Sequence, residues 1–352
     1  MKPLHFLVPG QLDRPTGGSR YDQRIIAGLR AVGMAITVHA LAGRYPGPDS
    51  KAQDTVEQTL RRIPAETTVI VDGLVLGGLP GPFTDQARRL RLIAVVHHPL
   101  ADETGLSAAR RQALLERERA ALRAVRGVIT TSAFTAERLR ELGLGILPSQ
   151  VVAPGCDPAP LAHGQPSDQP PLLLCVASLT PRKGHDVLID ALTQLRDLPW
   201  HCRLVGSTEL APDWAQEMRG RIRQNGLERR IDVAGALAAA DLDAAYAGAD
   251  LFVLPSHYEG YGMVITEAIA RGLPVVTTNG GALPGTLPPQ AGYAVPVADS
   301  DALATALGQL LRDPAQRDAL ARGARRARQR LTDWPAASRR FAAALAEITD
   351  YD

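Results

Sequence analysis

Aromatic residues are scarce in this chain of 352 residues, at 4%, and nucleic-acid platforms that stack bases depend on them. Charge of one sign is also missing. The 39 Lys and Arg against 37 Asp and Glu leave a formal net charge of +2, which excludes a nucleic-acid partner held by bulk electrostatics. Only three cysteines occur, Cys156, Cys175 and Cys202. Their spacing fits neither a zinc ribbon nor a CxxC redox pair, and an odd count completes no disulfide framework. A reducing cytoplasm is the expected setting. No apolar run reaches about 18 residues, and the apolar part of MKPLHFLVPG is too short for a signal peptide. A soluble protein is therefore expected, with contact at the inner membrane face left open. The glycines at Thr16–Ser19 do not complete G-x-G-x-x-G, so a Rossmann cofactor is not expected. No D-x-D metal motif stands in a suitable loop, and no metal site is expected.

What is present is a long alternation of strand and helix patterns. Hydrophobic residues make up 45% of the chain, enough for two domains with separate cores. LHFLVPG reads as a strand, followed by a glycine-containing loop, a helix over about Tyr21 to Val32 and the strand AITVHAL. TVIVDGL, LIAVVHH and VITTS supply further short strands whose apolar runs read as buried on both faces. A proline-rich stretch from Pro154 to Pro171 reads as a linker. Beyond it the pattern restarts with LLLCVASL, HCRLVGS, IDVAG and LFVL, each followed by a helical segment. Strands alternating with helices imply right-handed crossovers and doubly wound parallel sheets. The expected division is residues 1–165, residues 166–333, and a tail helix over 334–352. That tail carries Phe341, Leu345 and Ile348 on one face and is expected to return to the first domain.

The most informative stretch runs through LFVLPS, HYEGYG, MVITEAIARG and LPVVTT. Leu251 to Leu254 reads as a buried strand, and Val264, Ile265, Ala268 and Ile269 recur at the spacing of one helix face. Gly260 and Gly262 permit a tight turn between them. A helix therefore starts at the carboxyl end of a strand, where unpaired N–H groups and the helix dipole favour an anion such as phosphate. Glu259 and Glu267 bracket the turn and suit hydroxyl-bearing groups. The combination points to a nucleotide sugar. Arg182 and Lys183 follow another strand, at the sheet edge where open α/β domains bind ligands, and their charges fit a diphosphate.

The run from Asp250 to Thr277 resembles the signature of family 4 glycosyltransferases, a retaining family with the GT-B fold. Its Glu-x7-Glu motif is met by Glu259 and Glu267 within EGYGMVITE. The likeness extends to SLTPRKGHDVLIDAL, to VVAPGCD and to the TGG loop, and so spans nearly the whole chain. The resemblance implies two Rossmann-like domains facing across a cleft. It implies that Glu267 binds the donor ribose, that Glu259 contacts the donor sugar, and that the backbone of Gly260, Tyr261, Gly262, Met263 and Val264 holds sugar hydroxyls and phosphate. Arg182 and Lys183 would neutralise the leaving diphosphate. Gly235 would lie near the nucleobase, and Gly17 and Gly18 near the diphosphate and acceptor.

His97 and His98 follow the strand LIAVV. The family often places a histidine against the donor sugar there, and alternation along a strand turns only one of the pair toward it; His97 fits slightly better. Glu103 and Thr104 are candidates for acceptor contact. The activity implied is metal-independent transfer from a UDP-sugar, or next a GDP-sugar, to an acceptor hydroxyl with retention, and no cofactor. Two other readings stand beside it, a GT-B epimerase or phosphorylase and a nucleotide-sugar-binding subunit without catalysis. Arginines at 110, 111, 117, 119 and 123, with ARGARRARQR near the end, leave weak membrane-surface contact as a further expectation.

Overall fold

The computed structural model describes residues 4–12, 16–145 and 148–350. The chain folds as two compact units, Met1–Gly155 with Thr332–Asp352, and Cys156–Leu331. The first unit holds strands β1 (Leu4–Pro9), β2 (Ile36–Leu41), β3 (Thr68–Asp72), β4 (Arg91–Val96), β5 (Gly127–Thr130) and β6 (Ser149–Val151). They form one sheet in the order β2-β1-β3-β4-β5-β6, with every neighbouring pair parallel. Burial of Val69, Ile70 and Val71 in β3, and of Leu92 to Val96 in β4, covers both faces of the central strands. Such two-sided burial explains why these segments read as unbroken apolar runs.

The second unit repeats the plan with β7 (Leu172–Val176), β8 (His201–Val205), β9 (Ile231–Gly235), β10 (Leu251–Leu254), β11 (Val275–Thr278) and β12 (Gly292–Val295). Its order is β12-β11-β10-β7-β8-β9, again parallel throughout. The strand order reverses between β7 and β10, and in an open α/β sheet that crevice is where ligands bind. In the first unit the reversal falls at β1 and β3.

Several helices of the first unit begin on a side-chain cap. Thr16 Oγ1 accepts from Ser19 N, Asp49 Oδ1 from Ala52 N and Ser132 Oγ from Thr135 N, satisfying donors the helix itself leaves unpaired.

The C-terminal helix Trp334–Asp350 packs on the helix Gly17–Ala31. Trp334 meets the Tyr21 ring edge-on, with centroids 6.2 Å apart. Gly28 gives Ser338 its room: a Cβ on Gly28 would lie 1.9 Å from Ser338 Oγ. Phe341, Leu345 and Ile348 are buried, so the apolar face read from the sequence is the face that docks. The proline-rich stretch after Gly155 joins the second unit. Ala162 N donates to Arg271 O, His163 N to Ala247 O, and Gln165 N and Leu172 N both to the Asp250 carboxylate.

Candidate active site

In the second unit the loops after β7 and β10 meet at the strand-order reversal. Pro181–Lys183 forms one short turn that ends at Gly184, which is left-handed at φ 66°. Only glycine fits there, because an added Cβ would lie 2.2 Å from Pro255 O. His257 N then donates to Arg182 O at 2.8 Å, and Arg182 Nη1 to Tyr258 O at 2.7 Å. These bonds hold the two loops together and aim their side chains at one another.

Glu259 sits at the centre of that arrangement, 8% exposed. Its Oε1 accepts from Lys183 Nζ and from Ser256 Oγ, the latter at 2.7 Å, and its Oε2 lies 3.3 Å from Arg182 Nη1. Its backbone is fixed as well, since Ala282 N donates to Glu259 O at 2.8 Å. Burial alone would raise the Glu259 carboxyl, but the charges of Lys183 and Arg182 and the bonds from Lys183 and Ser256 outweigh it and hold it down at about 2. Burial lowers the Lys183 ammonium, against the opposing pull of Glu259. Glu259 is thus a permanent carboxylate, a hydrogen-bond acceptor that cannot serve as a proton donor.

Gly262, left-handed at φ 90°, caps the helix Met263–Ala270. A Cβ there would lie 2.7 Å from Leu283 Cδ2. The turn therefore needs its glycine for both conformation and space. Tyr261 O accepts from Thr286 Oγ1, and burial pushes the Tyr261 hydroxyl up to about 12. Met263 and Val264 open the helix, and Gly260 lies in the turn before it. Glu267, on the same helix, is 9% exposed and accepts from Tyr246 Oη at 3.0 Å. The Arg271 guanidinium covers the Tyr246 ring at 4.3 Å from its centroid, so the phenol is held from two sides. Gly235 ends β9 at φ 72°, with its carbonyl accepting from Gly206 N. No atom stands within 4 Å of a Cβ added to Gly235, leaving open space above it. A cavity of about 440 Å³ elsewhere in this unit is lined by Leu172, Cys202 and Ile231, at the amino ends of β7 to β9. It lies on the edge opposite to these charges, and the side-chain chemistry outweighs its size.

In the first unit, His97 follows β4 directly. Its carbonyl accepts from Thr131 Oγ1 and Thr135 Oγ1 at 3.2 and 3.3 Å. The imidazole Nε2 is 3.2 Å from Asp72 Oδ2 and 3.4 Å from Asp22 Oδ1. Gly18 lies over the ring, where a Cβ would stand 3.2 Å from Cδ2, and Gly17 is the first residue of that helix. Burial works to lower His97, but Asp22 and Asp72 outweigh it and raise it to about 10; burial in turn raises Asp22 to about 7. His98 turns elsewhere, with Nε2 3.5 Å from Glu103 Oε2. Thr104 N donates to Glu103 Oε1 at 3.1 Å.

The structure therefore brings Arg182, Lys183 and Glu259 into direct contact, sets Glu267 on the helix that follows, and separates the two histidines. Four participants escape the sequence reading: Ser256, Tyr246, Asp22 and Asp72. Asp72 carries a weak signal, a charged residue ending an apolar strand. Asp22 carries none, because in sequence it is one polar position in a helix rich in them.

Known proteins resemble this chain in sequence and in fold. The family described as glycosyl transferases group 1 matches residues 162–327. A glycogen synthase of Mycobacterium tuberculosis is 37% identical over 215 residues, covering 59% of this chain and 50% of the relative. This match thus spans about half of the synthase's length. A GDP-mannose-dependent alpha-(1-6)-phosphatidylinositol monomannoside mannosyltransferase of Mycolicibacterium smegmatis is 29% identical over 362 residues, covering 94% of this chain and 87% of the relative. Among solved structures, sucrose-phosphate synthase of Thermosynechococcus elongatus superposes with a TM-score of 0.84 at 22% identity, over 100% of both chains. Anabaena HepE in complex with UDP-glucose gives 0.78 at 22% identity, over 98% of this chain and 99% of that one. Those likenesses establish the GT-B fold. Beside the two parallel six-stranded sheets and the returning C-terminal helix, residues 162–327 of the chain belong to the glycosyl transferases group 1 family.

Proposed function

We propose that the chain moves a sugar from a nucleotide diphosphate sugar to an acceptor hydroxyl with retention of anomeric configuration. The observation that carries this reading is the Arg182–Lys183–Glu259 cluster at the strand-order reversal of the second sheet. Two cations and a helix N-terminus converge where a diphosphate would lie, and a carboxylate fixed as an acceptor stands beside them.

In this reading Arg182 and Lys183 stabilise the charge that builds on the leaving diphosphate, which removes the need for a divalent cation at that position. Glu259 accepts from hydroxyls of the transferred sugar. Glu267, steadied by Tyr246, accepts from the ribose hydroxyls. The bond from the anomeric carbon to the phosphate oxygen breaks as the acceptor oxygen bonds to the same face of that carbon, and the acceptor proton passes to the leaving phosphate oxygen. Glu259 has no proton to give and plays no acid role. For His97, Gly18 and Glu103 of the first unit, the roles proposed are those the family resemblance implies.

The donor is a UDP- or GDP-linked hexose. GDP-mannose stands beside UDP-glucose because a relative aligned over most of its length is named for dependence on it. The test is a panel of nucleotide sugars read by thermal shift, since a bound donor stabilises the folded state according to its affinity. Nucleotide release by the purified protein with each stabilising donor follows, with candidate acceptors added. Steady release without added magnesium, and abolished in Lys183→Ala, is expected. Stoichiometric binding with no turnover on any acceptor would favour a binding subunit instead.

A further inference from the structure

Asp22, Asp72 and His97 come from three elements of the first unit: the helix Gly17–Ala31, the end of β3 and the residue after β4. Both aspartates are buried, Asp22 fully. Two carboxylates withdrawn from water are costly unless a cation pairs with them. His97 Nε2 is that partner, 3.2 Å from Asp72 Oδ2 and 3.4 Å from Asp22 Oδ1.

The ring is held from several directions. Asp72 Oδ1 accepts from Leu74 N at 2.7 Å, which orients the carboxylate and leaves Oδ2 for the imidazole. Tyr21 meets the ring edge-on, with centroids 5.4 Å apart, while its hydroxyl donates to Val152 O at 2.9 Å. Gly18 gives the ring its room: a Cβ there would stand 3.2 Å from Cδ2 and 3.3 Å from Nε2. Thr131 and Thr135 grip the His97 carbonyl. Among the described residues, Asp22 and Asp72 are the charged groups that act on the ring.

An imidazole nitrogen set against two ionised carboxylates carries its hydrogen, because such carboxylates only accept. Nε2 is thereby committed, and any ligand contact falls to Nδ1, the vertex opposite the Cδ2–Nε2 edge. The side chain keeps 16% of its surface exposed. Two carboxylates beside one imidazole also favour the charged ring, in which Nδ1 carries a hydrogen as well. Burial works against that charge, but Asp22 and Asp72 outweigh it and raise the group to about 10.

We propose that Asp22 and Asp72 are positioning residues for His97: they fix Nε2–H inward and keep the ring charged, so that Nδ1–H is a constant donor to a ligand oxygen. This rests on the transfer reading only in giving His97 a sugar oxygen to meet. The state of the ring is tested without turnover.

The test is a nitrogen–proton correlation spectrum of the histidine rings in nitrogen-15-labelled protein, titrated from about pH 6 to 9, with His97 assigned by its loss in His97→Gln. Both ring nitrogens of wild-type His97 should hold their protonated positions throughout, where an ordinary histidine titrates near about 6.5. The double variant Asp22→Asn with Asp72→Asn keeps side-chain volume and the acceptor for Leu74 N. Its ring should titrate at or below about 6.5, since burial then acts unopposed. Relative to wild type at the same pH, its kcat/KM for the donor should fall about 10-fold or more at pH 8. The loss should be smaller at pH 6, where the ring partly regains its proton. A wild-type ring that titrates near about 6.5 overturns the proposal, whether or not the variant folds. Equal losses of kcat/KM at the two pH values overturn it too, because a merely structural role of the aspartates would give that result. If the wild-type protein releases no nucleotide from any donor, the transfer reading fails and the ring titration alone decides the proposal.

Discussion

Lys183 donates to the Glu259 carboxylate across 76 positions of sequence, and both side chains are largely shielded from water. The contact joins the loops after β7 and β10, so the cation proposed for catalysis is also a structural partner. Lys183→Ala should reduce turnover by about 100-fold or more. It should also cost about 1–3 kcal/mol, because Glu259 loses a buried partner while Arg182 remains. Adding Glu259→Gln should restore stability without restoring activity. Denaturant melts beside kcat separate the two effects; full activity in Lys183→Ala would remove the residue from the mechanism.

Acid sensitivity should trace to the same carboxylate. Its folded-state value of about 2 lies below that of an unfolded glutamate, so the stability it contributes is complete above the unfolded value of about 4.3 and is lost as pH falls toward 2. Glu259→Gln should be less stable than wild type at pH 7, with the gap closing between about pH 4 and 2. A gap of constant size across that range contradicts the ion-pair account.

Glu118 should behave in the opposite sense. It is buried at 2% exposure, and although Leu100 N donates to it, burial raises it to about 8. The folded state then holds a proton that the unfolded state has released, and stability falls as pH rises from about 4.3 to 8. Glu118→Gln should match wild type near pH 4 and exceed it by pH 8. Thermal melts at several pH values decide, and parallel curves for the two proteins would refute the assignment.

Glu267 should act on donor binding. Loss of charged hydrogen bonds worth about 1.5–3 kcal/mol predicts a rise in donor KM of roughly 10- to 150-fold for Glu267→Gln. Tyr246→Phe, which removes one bond to that carboxylate, should shift KM in the same direction by less. Isothermal titration with the free nucleoside diphosphate checks both, and an unchanged affinity in Glu267→Gln would exclude the ribose role.

Gly184→Ala should destabilise by about 1–3 kcal/mol from its left-handed backbone alone. The approach to Pro255 O adds to this. Because the residue separates Lys183 from the rest of the loop, kcat should fall as the ammonium is displaced. Wild-type melting and kcat in this variant would contradict the tight loop geometry.

Particular elements show how much could be read in advance. The strands LIAVV and LFVL are legible because burial on both faces leaves an apolar run that no neighbour disguises. The C-terminal helix is legible through the spacing of Phe341, Leu345 and Ile348, and its return to the first unit follows from that face needing a cover. Segments such as Ser50–Arg62 and Pro314–Ala327 pass unread, since much of their length is solvated and polar.

The sequence by itself determined the alternation that makes two parallel sheets, the glycine turn after β10, and the residue types that gather there. Those are local properties, written in periodicity and backbone freedom. Tertiary structure alone decided that Lys183 and Arg182 meet Glu259, that Tyr246 holds Glu267, and that His97 faces two buried carboxylates while His98 turns to Glu103. Each depends on the order in which strands pair, which joins residues tens of positions apart, and on burial, which converts ordinary charges into fixed acceptors or cation-seeking groups.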